Sequence, residues 1–188
     1  RTVTGVQTCA LPIYLVEVWY PAAEGTTGSD SYDMRDFIPE AIRALLTSDT
    51  PATYTSPARR DAAPADGRFP VVAYSHGFAT VRVASTFLTV QLASWGFVVV
   101  APDHPSRNLA SQLGGAIQDP PDAADDVRGA IALVADPSIA GDIAAIADTE
   151  RLALVGHSAG GGTILEVAGD AGVAGYVSMA SGRLGESE

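Results

Sequence analysis

The sequence predicts an α/β fold: a doubly wound, mostly parallel sheet with helices on both faces, incomplete at its C-terminal end. Three observations carry this expectation. Short runs too uniformly apolar to face water recur as FPVVAYS, FVVVA and RLALV, as strands covered on both faces do. Segments with apolar residues at helical spacing lie between them. Glycine and proline punctuate the joins. Such alternation implies parallel strands joined by right-handed crossovers, which brings the strand C-termini to one edge, where ligands bind.

Each element follows from its residues. Residues 14–20 (YLVEVWY) alternate well enough for a strand, which Pro21 closes. Residues 22–67 are rich in Gly, Ser, Asp and Pro and read as a variable insertion, mostly loop. Inside it Ile38, Ile42, Leu45 and Leu46 predict one short amphipathic helix near residues 39–46. Residues 69–75 form a buried strand leading into His76-Gly77-Phe78. Ala84, Leu88, Leu92 and Trp95 mark one face of a helix that Gly96 stops. Residues 97–101 are a strand buried on both faces, and 107–121 a polar loop. Asp122 caps a helix in which Val127, Ala130, Ile131 and Val134 share a face. Residues 151–155 are a strand, 158–168 a helix and 173–179 the last strand.

Composition sets the class. The chain has 188 residues, 47% of them hydrophobic, with 22 Asp plus Glu against 11 Lys plus Arg and a formal net charge of −11. That composition is globular rather than disordered. The negative charge disfavours nucleic acid or an anionic membrane surface as partner. No apolar stretch approaches the length that spans a bilayer. A single cysteine, Cys9, excludes an intramolecular disulfide framework and a Cys-rich zinc site. The opening RTVTGVQTCALPI resembles translated sequencing-adapter read-through, the alternative being an ordinary N-terminal strand. On the first reading, residues 1–13 are extraneous, Cys9 with them, and 14–188 are a partial domain.

The strongest motif is Gly156-His157-Ser158-Ala159-Gly160, a G-x-S-x-G between a buried strand and a helix. In that context the serine sits on a tight, strained turn that lifts its hydroxyl above the sheet edge. Side chains at positions 156 and 160 would collide, hence the glycines. Gly161 and Gly162 are expected to let the helix pack close to neighbouring strands. Ser158 is therefore the candidate nucleophile. The second motif is Tyr74-Ser75-His76-Gly77-Phe78. Acyl transfer needs two backbone N–H donors aimed at the developing oxyanion. One comes from the residue after the nucleophile, Ala159. The other comes from the loop after the preceding core strand, Phe78. His76 reads either as a post holding this loop or as a catalytic base. The Phe78 ring reads as one wall of an acyl pocket or as packing over the sheet edge.

HGF after a buried strand, then WGFVVVAPDH, then LALVGHSAGG, resemble the α/β-hydrolase superfamily. Within it they are similar to bacterial esterases grouped with platelet-activating-factor acetylhydrolases, dienelactone hydrolases, chlorophyllases and cutinase-like polyester hydrolases. The early VEVWYPA strand adds to the likeness with the acetylhydrolases. The resemblance implies a serine esterase with Ser158 as nucleophile and the N–H groups of Phe78 and Ala159 as oxyanion donors. It implies a small-molecule or lipid-like ester as substrate. Two departures stand out. The strand after the elbow helix, GYVSMASG, lacks the acid that acetylhydrolases carry there. Ser181-Gly182-Arg183 stands where polyester hydrolases often have a tryptophan.

In this fold the chain order is Ser, then Asp or Glu, then His, yet no histidine follows Ser158 before residue 188. Glu166 and Asp170 lie on the elbow helix and at its far end, the wrong place to orient an imidazole beside Ser158. The expectation is that the triad acid and base lie beyond residue 188, and that residues 1–188 alone have little hydrolase activity. A serine peptidase or thioesterase of the same fold, or a non-catalytic relative, would share the named residues. Other groups have plainer readings. Asp103-His104 is expected to anchor a loop, Asp125-Asp126 to be a solvated helix face, and Trp95 with Leu88 and Leu92 to be a core stripe. No glycine pattern matches a dinucleotide fingerprint, so no cofactor is inferred.

Overall fold

The computed structural model describes residues 4–10, 14–47, 49, 51–115, 122–170 and 172–181. The strands are β1 (Thr4–Ala10), β2 (Leu15–Pro21), β3 (Asp30–Asp33), β4 (Thr53–Ser56), β5 (Arg59–Arg60), β6 (Phe69–Ser75), β7 (Val98–Pro102), β8 (Ala147–His157) and β9 (Val173–Met179). The helices are α1 (Glu40–Arg43), α2 (Thr86–Ser94), α3 (Leu109–Gln112), α4 (Ala123–Ala135), α5 (Pro137–Ala140), α6 (Asp142–Ile146) and α7 (Ala159–Val167). Seven strands make one sheet in the order β5-β1-β2-β7-β6-β8-β9. β7, β6, β8 and β9 run parallel, whereas β2 is antiparallel to both β7 and β1.

The valine-rich strands explain the layers. Side chains alternate across a strand, so Val71, Ala73, Val98, Val100, Leu152 and Leu154 face one side and meet Val127, Leu133 and Val134 of α4 with Ile164 and Val167 of α7. Val72, Tyr74, Val99 and Ala101 face the other side, where Val90 and Ala93 of α2 cover them with Tyr32, Val81 and Val83. Each such valine, leucine or isoleucine side chain taken from water contributes about 1.5–3 kcal/mol. Helices thus lie on both faces of a mostly parallel sheet, the architecture the sequence implied.

Several details differ from expectation. Residues 22–67 are not all loop: β3 and β4 pair as an antiparallel hairpin and β5 adds to the edge of the main sheet. The helix foreseen near residues 39–46 is α1, one turn long, and Leu45 is 77% exposed, so it has no buried face. The loop at 107–121 contains α3, capped by Asn108, whose side chain accepts from the Ser111 N–H; residues 116–121 lie outside the described residues. On α2 the buried face is Thr86, Thr89, Val90 and Ala93, while Trp95 is 68% exposed. Trp95 therefore is not core. Gly96 does end that helix, at φ +93°. Asp122 caps α4, accepting from the Asp125 N–H at 2.8 Å. In β2 the alternation is not inside-outside: Glu17 is as buried as its valine neighbours and forms ion pairs with Arg60 and Arg82. Thr4–Ala10 pairs along its length with β2.

Candidate active site

The C-terminal ends of β6, β8 and β9 finish together. Ser75 is in register with Gly156, and His157 with Met179. Beyond β8 the chain turns sharply into α7. Ser158, the turn residue, has φ 55° and ψ −121°, a conformation that costs a non-glycine residue about 1–3 kcal/mol. Its N–H donates to the Met179 carbonyl at 2.9 Å, and its carbonyl accepts from Gly161 N–H at 2.9 Å. Those bonds hold the strained turn. Among the described residues its hydroxyl has no hydrogen-bond partner.

The elbow glycines are explained by contact. A Cβ at Gly156 would strike the Gly160 carbonyl, and one at Gly160 would strike the Ser75 carbonyl. At Gly161 it would strike the hydroxyls of Ser178 and Ser181, which hydrogen-bond each other. Gly162, in contrast, faces open space and is not needed for close packing.

The loop after β6 lies against this turn. A Cβ on Gly77 would stand 3.3 Å from the Ser158 Cβ, so the loop passes close beside the serine and leaves little room for a side chain. Phe78 follows, then Ala79 at φ 54°, whose N–H donates to the Arg107 carbonyl at 2.9 Å. Among the described residues, neither the Phe78 N–H nor the Ala159 N–H is spent on a hydrogen bond within the chain. The Phe78 ring is 62% exposed and so does not pack down on the sheet edge.

Of the three histidines, His157 ends β8 beside Ser158 and is exposed, whereas His76 and His104 are fully buried. His76 Nε2 accepts from the His104 N–H at 3.1 Å, which leaves Nδ1–H to donate to the Gly77 carbonyl at 2.7 Å. Both ring nitrogens are thus committed to holding the loop, and His76 is placed as a post. Burial, with His104 beside it, holds its pKa well below the usual imidazole range. His104 Nε2 meets Ser75 Oγ at 2.8 Å and Nδ1 meets Asp126 Oδ2 at 2.9 Å. Its pKa is depressed too, chiefly by burial. Asp126 is only 2% exposed, and burial pushes its carboxyl up to about 7. This corrects the reading of Asp125-Asp126 as a solvated face: Asp125 faces outward, but Asp126 turns in to orient His104.

Arg107 was not singled out from sequence. Its Nη2 donates to Ser75 Oγ at 2.8 Å and to the His76 carbonyl at 3.0 Å. Its Nη1 donates to Thr163 Oγ1 at 2.7 Å and reaches the Ala159 carbonyl at 3.5 Å. Burial lowers its pKa to about 10, so it stays cationic near neutrality. Because arginine only donates, the Ser75 hydroxyl accepts from it and gives its own proton to His104 Nε2. No periodicity marks such a residue; the only available signal was one arginine in the segment after the DH pair.

Glu166 and Asp170 are exposed, and Asp170 pairs with Arg128 at 2.8 Å, away from Ser158. Among the described residues no cluster of His, Cys, Asp and Glu could hold a metal ion, and no helix is long and apolar enough to cross a membrane.

The elbow on a parallel sheet, with a loop backbone against it, defines an α/β-hydrolase. The chain belongs to the chlorophyllase family, whose family model matches residues 42–177. Its structure is similar to that of a ferulic acid esterase from Streptomyces cinnamoneus, at TM-score 0.62 and 24% identity over 89% of this chain and 55% of that one. A Klebsiella pneumoniae subsp. pneumoniae protein assigned as a dienelactone hydrolase matches 100% of this chain and 63% of its own, at TM-score 0.57 and 15% identity. The chain therefore spans about three fifths of the length of these relatives.

Proposed function

We propose that the whole protein is a serine hydrolase of carboxylic esters in which Ser158 is the nucleophile. The observation that carries this reading is the serine at φ 55°, at the head of α7 and close beside the Gly77 loop, with the Phe78 and Ala159 N–H groups both unspent among the described residues. The two structural relatives are named as an esterase and a lactone hydrolase, which supports esters over amides.

The proposed reaction is two-step acyl transfer. A histidine takes the Ser158 proton as the oxygen attacks the ester carbonyl. The N–H groups of Phe78 and Ala159 receive the negative oxygen of the tetrahedral intermediate, and α7 directs its positive end there. Loss of one such donor typically costs about 3–4 kcal/mol of barrier. The alcohol leaves, and water hydrolyses the acyl-serine. The exposed Phe78 ring supplies an apolar surface beside the acyl group.

The base is proposed to come from outside residues 1–188, since His76 and His104 are buried with both nitrogens engaged, and the Ser158 hydroxyl has no partner among the described residues, the exposed His157 beside it included. On this reading the whole protein hydrolyses p-nitrophenyl butyrate, Ser158→Ala abolishes the turnover, and residues 1–188 alone are nearly inactive. Turnover unaffected by Ser158→Ala would refute the nucleophile assignment. Ser158-dependent turnover by residues 1–188 alone would refute the external base.

A further inference from the structure

We infer that Arg107 is a positioning residue of the oxyanion site, one guanidinium that bolts the loop carrying Phe78 to the helix turn carrying Ala159. The inference rests on the nucleophile reading above and goes beyond it, because the two donors of an oxyanion hole must keep a fixed separation although they come from different segments. Here those segments are the end of β6 and the start of α7. Their backbones lie close, since a Cβ at Gly160 would strike the Ser75 and His76 carbonyls, but proximity alone does not fix the angle between them.

Arg107 fixes it from beneath. One side of the guanidinium holds the loop through Ser75 Oγ at 2.8 Å and the His76 carbonyl at 3.0 Å. The other side holds the helix through Thr163 Oγ1 at 2.7 Å and the Ala159 carbonyl at 3.5 Å. The planar fork sets the spacing of these four oxygens in a way that a lysine ammonium cannot. The Arg107 carbonyl also takes the Ala79 N–H, so the same residue grips the loop on the far side of Phe78.

A relay keeps the bolt in place. Asp126 orients His104, His104 takes the Ser75 proton, and the Ser75 oxygen is thereby turned toward Arg107. This is an Asp–His–Ser chain with distances of 2.9 and 2.8 Å, yet all three side chains are buried and no ester can reach Ser75. Its geometry serves position, not attack. His104 also donates its own N–H to His76, so the loop post and the relay are one unit.

The whole protein and its Arg107→Lys, Arg107→Met and Thr163→Val variants should be compared on a p-nitrophenyl ester and on the matched thionoester, with melting temperature as a check of folding. Thr163→Val removes the helix anchor while leaving the arginine, and remains informative if Arg107→Met does not fold. In an intact hole the oxygen ester is strongly preferred, because sulfur fits poorly between donors set for oxygen. The expectation is a kcat loss of roughly 10–100-fold for Arg107→Met and about 10-fold for Arg107→Lys and Thr163→Val. KM should stay within about threefold, and the oxo-to-thiono rate ratio should fall at least about fivefold in each variant. A merely structural role lowers both rates together and leaves the ratio unchanged; that result in the folded variants overturns the role of Arg107 alone. A wild-type protein without Ser158-dependent turnover overturns the nucleophile reading and this inference with it.

Discussion

Replacing Ser158 by glycine should make the fold more stable, although it removes a polar side chain at the head of a helix. The serine is held at φ 55° and ψ −121°, and its side chain makes no capping hydrogen bond to α7. Nothing is therefore lost at the cap. The backbone strain released is about 1–3 kcal/mol. Glycine also loosens the unfolded chain, which offsets about 0.5–1 kcal/mol of that gain. The net expectation is about 1 kcal/mol, or a rise in Tm of about 2–4 °C for a chain of this size. Ser158→Ala is the control, since it deletes the hydroxyl but keeps the strain. Calorimetric melts of residues 1–188 in all three forms make the comparison. A glycine variant melting at or below the alanine variant would refute the claim that this turn stores strain.

Three further outcomes follow from the same contacts. Gly160→Ala drives a methyl group into the Ser75 carbonyl and should cost about 3 kcal/mol, read as a lowered urea midpoint; a neutral effect would mean that the elbow is looser than described. Glu17→Ala removes the buried carboxylate between Arg60 and Arg82; each keeps a second partner, Asp30 and Asp103, so the cost should be about 1.5–3 kcal/mol, which urea melts of both forms would show or deny. Stability should also fall as pH drops below about 6.5, because buried, neutral His76 and His104 take up protons only on unfolding. That loss is about 1.4 kcal/mol per pH unit for each histidine. The raised Asp126 acts oppositely between about 4 and 7, where the folded state holds the extra proton. Buried Asp103 is raised as well and offsets part of the rest toward the acid end, so below about 6.5 the net fall is at most one histidine's worth. Melts at pH 7.5, 6.0 and 5.0 decide it: flat or rising stability would contradict neutral burial of the pair.

The elbow was legible because its constraints are local. Gly156 and Gly160 collide with atoms within a few residues or on the adjacent strand, so five letters between a strand and a helix specify the turn. FVVVA was legible because a strand covered on both faces has no polar side to hide. What escaped depends on partners distant in sequence. Asp126 sits beside Asp125 in the first turn of α4, where two acids suit a solvated helix start; only the fold brings His104, 22 positions away, over one of them. Trp95 was misplaced because α2 is apolar around its circumference: Phe87 and Trp95 are exposed while Val90 and Ala93 are buried, and spacing alone cannot choose between such faces. The β3–β4 hairpin was hidden by its brevity, four residues a side, and by polar letters. Arg107 gave no pattern at all, since its significance lies in four oxygens from two segments distant in sequence.

Covalent labelling tests the central claim most directly. The whole protein is incubated with a fluorophosphonate and its peptides are read by mass spectrometry. One adduct, on the Ser158 peptide and absent from Ser158→Ala, is the predicted result. A folded protein that stays unlabelled, or that carries the phosphonate on another residue, would contradict the assignment of Ser158 as the nucleophile.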